Sequence, residues 1–182
     1  MKYYFSRMRG HSRPSPRKPL TKIAWSWLAA FVGIYLVSYI SQALSTSTTD
    51  NMFLIGSFGA SAVLLYGTPQ AEYAQPRNLI GGHLLSALIG ITIYKLVPQD
   101  VMLASALAVS LAIVVMHFTV TLHPPGGATA LIAVIGSDQV HSLGYLFVLF
   151  PVLLGAAVLL VVALLVNNLS ANPKRHYPTF WW

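Results

Sequence analysis

Four runs of apolar residues, Ile23 to Ala43, Leu79 to Val97, Val101 to Thr121 and Leu143 to Leu169, carry a single charged side chain between them, Lys95. Each has the roughly 20 residues that an α-helix needs to cross the hydrocarbon core of a bilayer. The rest of the composition agrees. Hydrophobic residues make up 55% of the chain and charged residues only 8%, against roughly 25% charged in soluble domains. The chain therefore reads as an all-α integral membrane protein. It has no cysteine, which excludes disulfides, thiolate metal sites and cysteine nucleophiles.

The formal net charge of +7 does not point to nucleic acid, because seven of the eleven Lys and Arg precede the first apolar run. A basic cluster at a membrane border is a topology signal or a contact to anionic lipid. Residues 1–22 then form a basic cytoplasmic tail. The run from Ile23 is longer than the core of a cleaved secretory signal and reads as a retained first span, although a transit segment within Met1 to Pro19 is the competing assignment. At the other end, "NPKRHYPTFWW" (Asn172 to Trp182) mixes proline, basic and aromatic residues. Residues 170–182 are expected at the membrane interface, where Trp and Tyr are enriched.

Two further segments are short and interrupted, "NMFLIGSFGASAVLLYG" (Asn51 to Gly67) and "HPPGGATALIAVIG" (His123 to Gly136). Gly-Ala-Ser-Ala at Gly59 matches Gly-Ala-Thr-Ala at Gly127, and each segment lies between two long runs. This pattern predicts an internal duplication, with repeat one over 23–97 and repeat two over 101–169. The expected fold is four long transmembrane helices plus two broken segments, each part extended and part helical. With both termini cytoplasmic and all six elements crossing, Arg77, Lys174 and Arg175 fall inside, while Asp50, Asp100 and Asp138 fall outside. An odd number of crossings per repeat makes the arrangement a 3+3 inverted repeat, as in many transporters.

The prolines fix where the second broken segment turns helical. Pro suits the first helical position, and the residue before it is pushed toward extended geometry. His123 should be extended, after a lead-in of about five extended residues that covers half the membrane, with a half-helix beginning near Pro125. A matching half-helix should begin near Ser57. Their N-termini would then face one another near the midplane, each with a partial positive charge and free N–H groups, which suits a small monovalent anion. The residues expected around it are Gly56, Ser57, Phe58, Gly59, Ala60 and Ser61 from the first segment. The second segment adds His123, Pro124, Pro125, Gly126, Gly127, Ala128 and Thr129. Glycines leave the backbone open, and Ser57, Ser61 and Thr129 supply hydroxyls. The long runs contain no Asp or Glu, whereas cation and proton pathways generally use intramembrane carboxylates. The competing reading is that the small residues only let helices pack closely.

"HPPGGATALIA", "SFGASAVLLYG" and "QPRNLIGGHLLSALIG" (Gln75 to Gly90) resemble the recurrent blocks of the HPP family of integral membrane proteins. The resemblance implies a compact transporter-like fold, and plant plastid members of that family are associated with nitrite transport. It also draws in Arg77 and Asn78 at a helix start and His83 one to two turns deeper. Together with His117 they are expected to line or gate a path. A metal held by His83, His117 and His123 lacks any supporting carboxylate or thiolate, so no metal and no cofactor are expected.

The function expected is therefore transport of a small inorganic anion, nitrite first, with the lipid bilayer as the other partner and no nucleic acid. The alternatives are an anion channel for formate, bicarbonate or chloride, or a structural membrane subunit. No nucleophile–base pair or carboxylate dyad supports an enzyme. A bacterial inner membrane is the expected location, with the plastid envelope as the alternative. Self-association into a homo-oligomer would add stability to so small a domain.

Overall fold

The computed structural model of the protein describes residues 2–8, 12, 14–44 and 56–182. Among them the regular structure is helical. We name α1 Leu20–Leu44, α2 residues 56–62, α3 Pro76–Leu96, α4 Val101–Phe118, α5 Pro124–Ile135, α6 Asp138–Leu143 and α7 Leu154–Leu169. A wide turn, Val63–Gly67, continues α2, and another, Val148–Leu153, leads into α7. Among the described residues, four stretches are long and apolar enough to cross a membrane: Leu20–Ala43, Pro76–Leu96, Val101–Phe118 and Val148–Leu169.

The helix boundaries follow from local chemistry. Pro76 opens α3 behind an extended Gln75. Asp100 caps α4 by accepting from the Leu103 N–H at 2.9 Å, and carboxylates are favoured at such positive helix ends. In the fourth run the helix is shorter than the run itself. Pro151 lacks an N–H and crowds the preceding turn, and it forces Phe150 to φ −128°, ψ 116°. The regular helix α7 therefore starts only at Leu154.

Small side chains at every fourth position bring the helices together. Ala104, Ala108 and Ala112 form a fully covered stripe on α4, continued by Met116. On α1 the buried positions are Ala29, Gly33, Val37 and Ser41, and a Cβ on Gly33 would run into the Tyr66 hydroxyl. Helices in lipid gain no hydrophobic drive from one another, so packing of this kind and interhelical hydrogen bonds hold them. The Tyr66 hydroxyl donates to the Leu159 carbonyl at 3.0 Å, and the Asn167 amide donates to the Leu65 carbonyl at 3.0 Å.

The closest approach is between α3 and α5. A Cβ on Gly126 would lie 2.7 Å from the Ser86 hydroxyl and 2.9 Å from the Gly82 carbonyl, while one on Gly82 would meet His123. Higher up, a Cβ on Gly90 would strike the Ala130 carbonyl. So α5 runs alongside α3 in the same direction. For Gly82, Gly90 and Gly126 the structure supports packing, not an opening toward a ligand.

One end of the bundle gathers Lys22, Arg77, Lys174 and Arg175. Arg175 donates to the Tyr66 carbonyl at 2.9 Å and to the Ser26 hydroxyl at 3.2 Å, and Arg77 stacks over Phe180 at 5.2 Å. The tail is fastened there by hydrogen bonds from the Tyr177 hydroxyl to the Ala74 carbonyl and from the Thr179 N–H to the Gln75 side chain, both 2.8 Å. The tail residues predicted to lie at an interface thus form a strap over the 68–77 connection. Arg77 shares an end with Lys22, Lys174 and Arg175.

Candidate functional site: a buried histidine–hydroxyl cluster

The two broken segments meet. After α4 the chain turns at Thr119 and Val120, the latter at φ 55°, an unusual value for a β-branched residue. Thr121 to His123 are non-helical, His123 itself extended, and α5 begins at Pro124. The predicted change from extended to helical is present, with a lead-in shorter than the five residues anticipated. In the first segment the chain is helical from residue 56. Of the extended lead-in expected over "MFLIGSF", Met52 to Ile55 lie outside the described residues, as does Asp50, and Gly56 to Phe58 are helical rather than extended.

Ser57 and Ser61, one turn apart on α2, face α3 and α5. The Ser61 hydroxyl lies 2.8 Å from His83 Nε2 and 2.9 Å from His123 Nε2. His83 Nδ1 lies 2.8 Å from the Thr129 hydroxyl, which is 3.3 Å from the Ser57 hydroxyl. His123 Nδ1 lies 2.7 Å from the Tyr73 carbonyl. The two imidazole centroids are 5.0 Å apart, and the Phe58 ring meets His83 edge-on at 5.3 Å. His83, His123, Ser61 and Thr129 are all fully buried.

The proton positions follow from the partners. A carbonyl can only accept, so His123 carries its proton on Nδ1, and its Nε2 in the neutral ring accepts from Ser61. Ser61 has one proton to give, so His83 must donate from Nε2 to the Ser61 oxygen. His83 Nδ1 then accepts from Thr129. A single directed chain results, from Thr129 through His83, Ser61 and His123 to the Tyr73 carbonyl. Each hydroxyl also has a second acceptor one turn back, Ser61 toward the Ser57 carbonyl at 3.3 Å and Thr129 toward the Pro125 carbonyl at 3.5 Å. If a ring gains a proton, its hydroxyl partner can turn to that carbonyl and accept instead. The cluster can therefore hold an added proton without leaving a buried donor unmet.

The other predicted site residues divide. Pro125 is buried beneath the cluster, whereas Gly56, Ala60, Pro124 and Ala128 are exposed. Gly127 is partly exposed and faces Val109 of α4, 3.7 Å from where its Cβ would be. Gly59 faces open space on the opposite side of α2. His117 is exposed at the end of α4, away from the cluster, since the α4 face that packs is the Ala104–Met116 stripe. No group of three potential metal ligands occurs among the described residues. Arg77 is half-buried, and Asn78 donates to the Leu122 carbonyl at 2.9 Å, which ties α3 to the lead-in of α5. His83, expected on a path, sits at the centre.

The idea of bare backbone amides at the α5 start also needs correction. Pro124 and Pro125 have no N–H, and the Gly126 N–H donates to the His123 carbonyl at 2.8 Å. The polar groups offered to a ligand here are imidazoles and hydroxyls. The hydroxyl–imidazole pairing joins residues 22 and 62 positions apart, and sequence spacing alone carries no signal for it.

A profile described as "HPP, transmembrane region" matches residues 15–178. The chain belongs to the HPP family. Two proteins of Dictyostelium discoideum, described only as transmembrane proteins, are each 46% identical to it. The alignments cover 98% and 95% of this chain but 57% and 60% of the relatives, so this HPP chain spans less than two thirds of the length of the relatives it matches. No solved structure matches it. Membership of a transmembrane family, with four apolar helices of spanning length, makes this an integral membrane protein.

Proposed function

We propose that this HPP protein carries a small monovalent inorganic anion across a membrane together with a proton, with nitrite the first candidate. The observation that carries the reading is the buried chain Thr129–His83–Ser61–His123 at the junction of the two broken segments. Its titratable groups are imidazoles, which turn cationic on gaining a proton, and no carboxylate lies in the four spanning helices. A protonated pair surrounded by Ser57, Ser61 and Thr129 hydroxyls offers charge-assisted donors to an anion. Anion and proton then favour one another's binding, as linkage requires. In this reading the repeats are inverted, the basic end of the bundle is cytoplasmic, and the chain is not an enzyme and needs no cofactor.

Reconstituted protein in liposomes should accumulate nitrite faster when the outside is acid. Formate, bicarbonate and chloride in the same assay set the selectivity. The tight glycine contacts between α3 and α5 favour a second reading, a packing subunit without transport. Equal nitrite uptake by protein-containing and empty liposomes, with and without the pH gradient, would leave that one standing.

A further inference from the structure

A groove of about 690 Å³ opens between α1 and the stretch from Gly59 to Ala71, on the side of α2 away from the histidines. Lys18, Lys22, Lys174 and Arg175 stand around it, and no acidic residue lines it. Deeper in, the walls are apolar: Ile23, Trp27 and Ile34 on α1, and Gly59, Ala62 and Val63 opposite. The groove is therefore cationic at one end and oily along its length.

Arg175 is the most deeply buried of these four cations. It is only 3% exposed. Its partners are all neutral: the Tyr66 and Lys22 carbonyls and the Ser26 hydroxyl. Among the described residues its Nε has no hydrogen-bond partner. Withdrawing a guanidinium from water without an opposing charge is costly, and three lysines around it add to the local positive field. An anionic group at the mouth would answer that charge.

We propose that the groove is a binding site for a phosphate-bearing anionic membrane lipid. The headgroup lies among Lys18, Lys22, Lys174 and Arg175, and an acyl chain runs along α1 toward Gly59. The dimensions fit a single leaflet. Lys22 and Ile34 are 12 residues apart on one helix, about 18 Å at 1.5 Å per residue, close to the roughly 15 Å half-thickness of the hydrocarbon core. A free phosphate would satisfy the mouth and leave the apolar length empty, so the source is lipid. The occupied face is the reverse of the one that carries Ser57 and Ser61, and the proposal is independent of what the histidine cluster transports.

The test uses the full chain purified in detergent and read by native mass spectrometry and thermal unfolding. Probes are phosphatidylglycerol, phosphatidylcholine with the same acyl chains, and inorganic phosphate. Phosphatidylglycerol should stay bound to the protein and raise the unfolding temperature, while the other two should do neither. Lys18→Gln, Lys22→Gln and Lys174→Gln combined should weaken retention about tenfold or more, by loss of the cationic field. Gly59→Phe keeps every cation but fills the groove, since its new Cβ meets nothing within 4 Å; it should also lose the lipid. Equal retention of phosphatidylcholine, an equal shift with inorganic phosphate, or full retention by either variant would overturn the proposal.

Discussion

The Ser61 hydroxyl and His123 Nε2, 2.9 Å apart, join two chain segments separated by 62 residues. Ser61 has a longer alternative acceptor in its own helix, the Ser57 carbonyl at 3.3 Å, whereas both ring partners of His123 come from other segments. Ser61 sits inside a helix whose carbonyls are one turn back, and His123 sits where two following prolines prevent the chain from turning helical earlier. The break in the backbone and the polar cluster are thus one feature. Extended geometry at His123 is what turns its ring toward α2 and α3.

Ser61 is shared by both rings, so Ser61→Ala leaves the His83 Nε2–H without its acceptor and His123 Nε2 without its donor. A buried unmet polar group costs about 1–3 kcal/mol. The variant should unfold at a lower temperature in detergent and lose most nitrite uptake in liposomes. Unchanged stability and uptake together would mean that the hydrogen-bond chain is not used.

His123→Asn separates the two bonds of that ring. The asparagine amide can still donate to the Tyr73 carbonyl, as Nδ1 does at 2.7 Å, but it cannot reach Ser61 as Nε2 does, and it does not titrate. Protonation of the ring rises with proton concentration, so the wild-type protein should gain uptake as the outside is acidified. The variant should fold and show a flat profile. A variant whose profile follows the wild type's would make His123 a structural residue only.

Much of this fold could be read from the chain. Apolar runs of spanning length announce themselves, and so does the proline-enforced start of α5, because both depend on neighbours in sequence. What could not be read was orientation. Gly59 and Ser61 are two positions apart on α2, yet Ser61 faces the histidines and Gly59 faces the groove, and only the packing of α1 and α3 decides which is which. His117 and His83 were equivalent as lone histidines in apolar runs. The alanine stripe of α4 turns His117 outward, and the glycines of α3 bring His83 against α5. Gly126 was misread for a related reason: a missing Cβ signals close approach, but not whether a ligand or a neighbouring helix is what approaches.

That ambiguity yields a graded prediction for three glycines. Gly126→Ala should strongly lower the unfolding temperature, because its Cβ would press on Ser86 and the Gly82 carbonyl, and backbone yields little. Gly155→Ala should do the same by colliding with the Phe58 ring, although its position in α7 is distant in sequence from both broken segments. Gly59→Ala has open space before it and removes the glycine penalty of roughly 0.5–1 kcal/mol in a helix. It should unfold at the same temperature or higher and keep its uptake. If Gly59→Ala proves as harmful as Gly126→Ala, α2 does not turn Gly59 toward open space.

The last prediction concerns the tail strap and alkaline pH. Tyr177 is 2% exposed and donates to the Ala74 carbonyl, and burial pushes its phenol above the ordinary value of 10.0. A group whose pKa is raised by folding contributes stability that is complete below its unfolded pKa. That stability is lost as pH rises from the unfolded value toward the folded one. Stability of the wild-type protein should therefore begin to fall above about pH 10, as the unfolded chain ionises Tyr177 while the folded one resists. Tyr177→Phe cannot ionise. It should be less stable at neutral pH by about 1 kcal/mol for the lost hydrogen bond, and its decline above pH 10 should be shallower. Thermal unfolding of both proteins from pH 7 to pH 11 measures the difference. Parallel curves over that range would mean that the strap opens to solvent before the bundle unfolds.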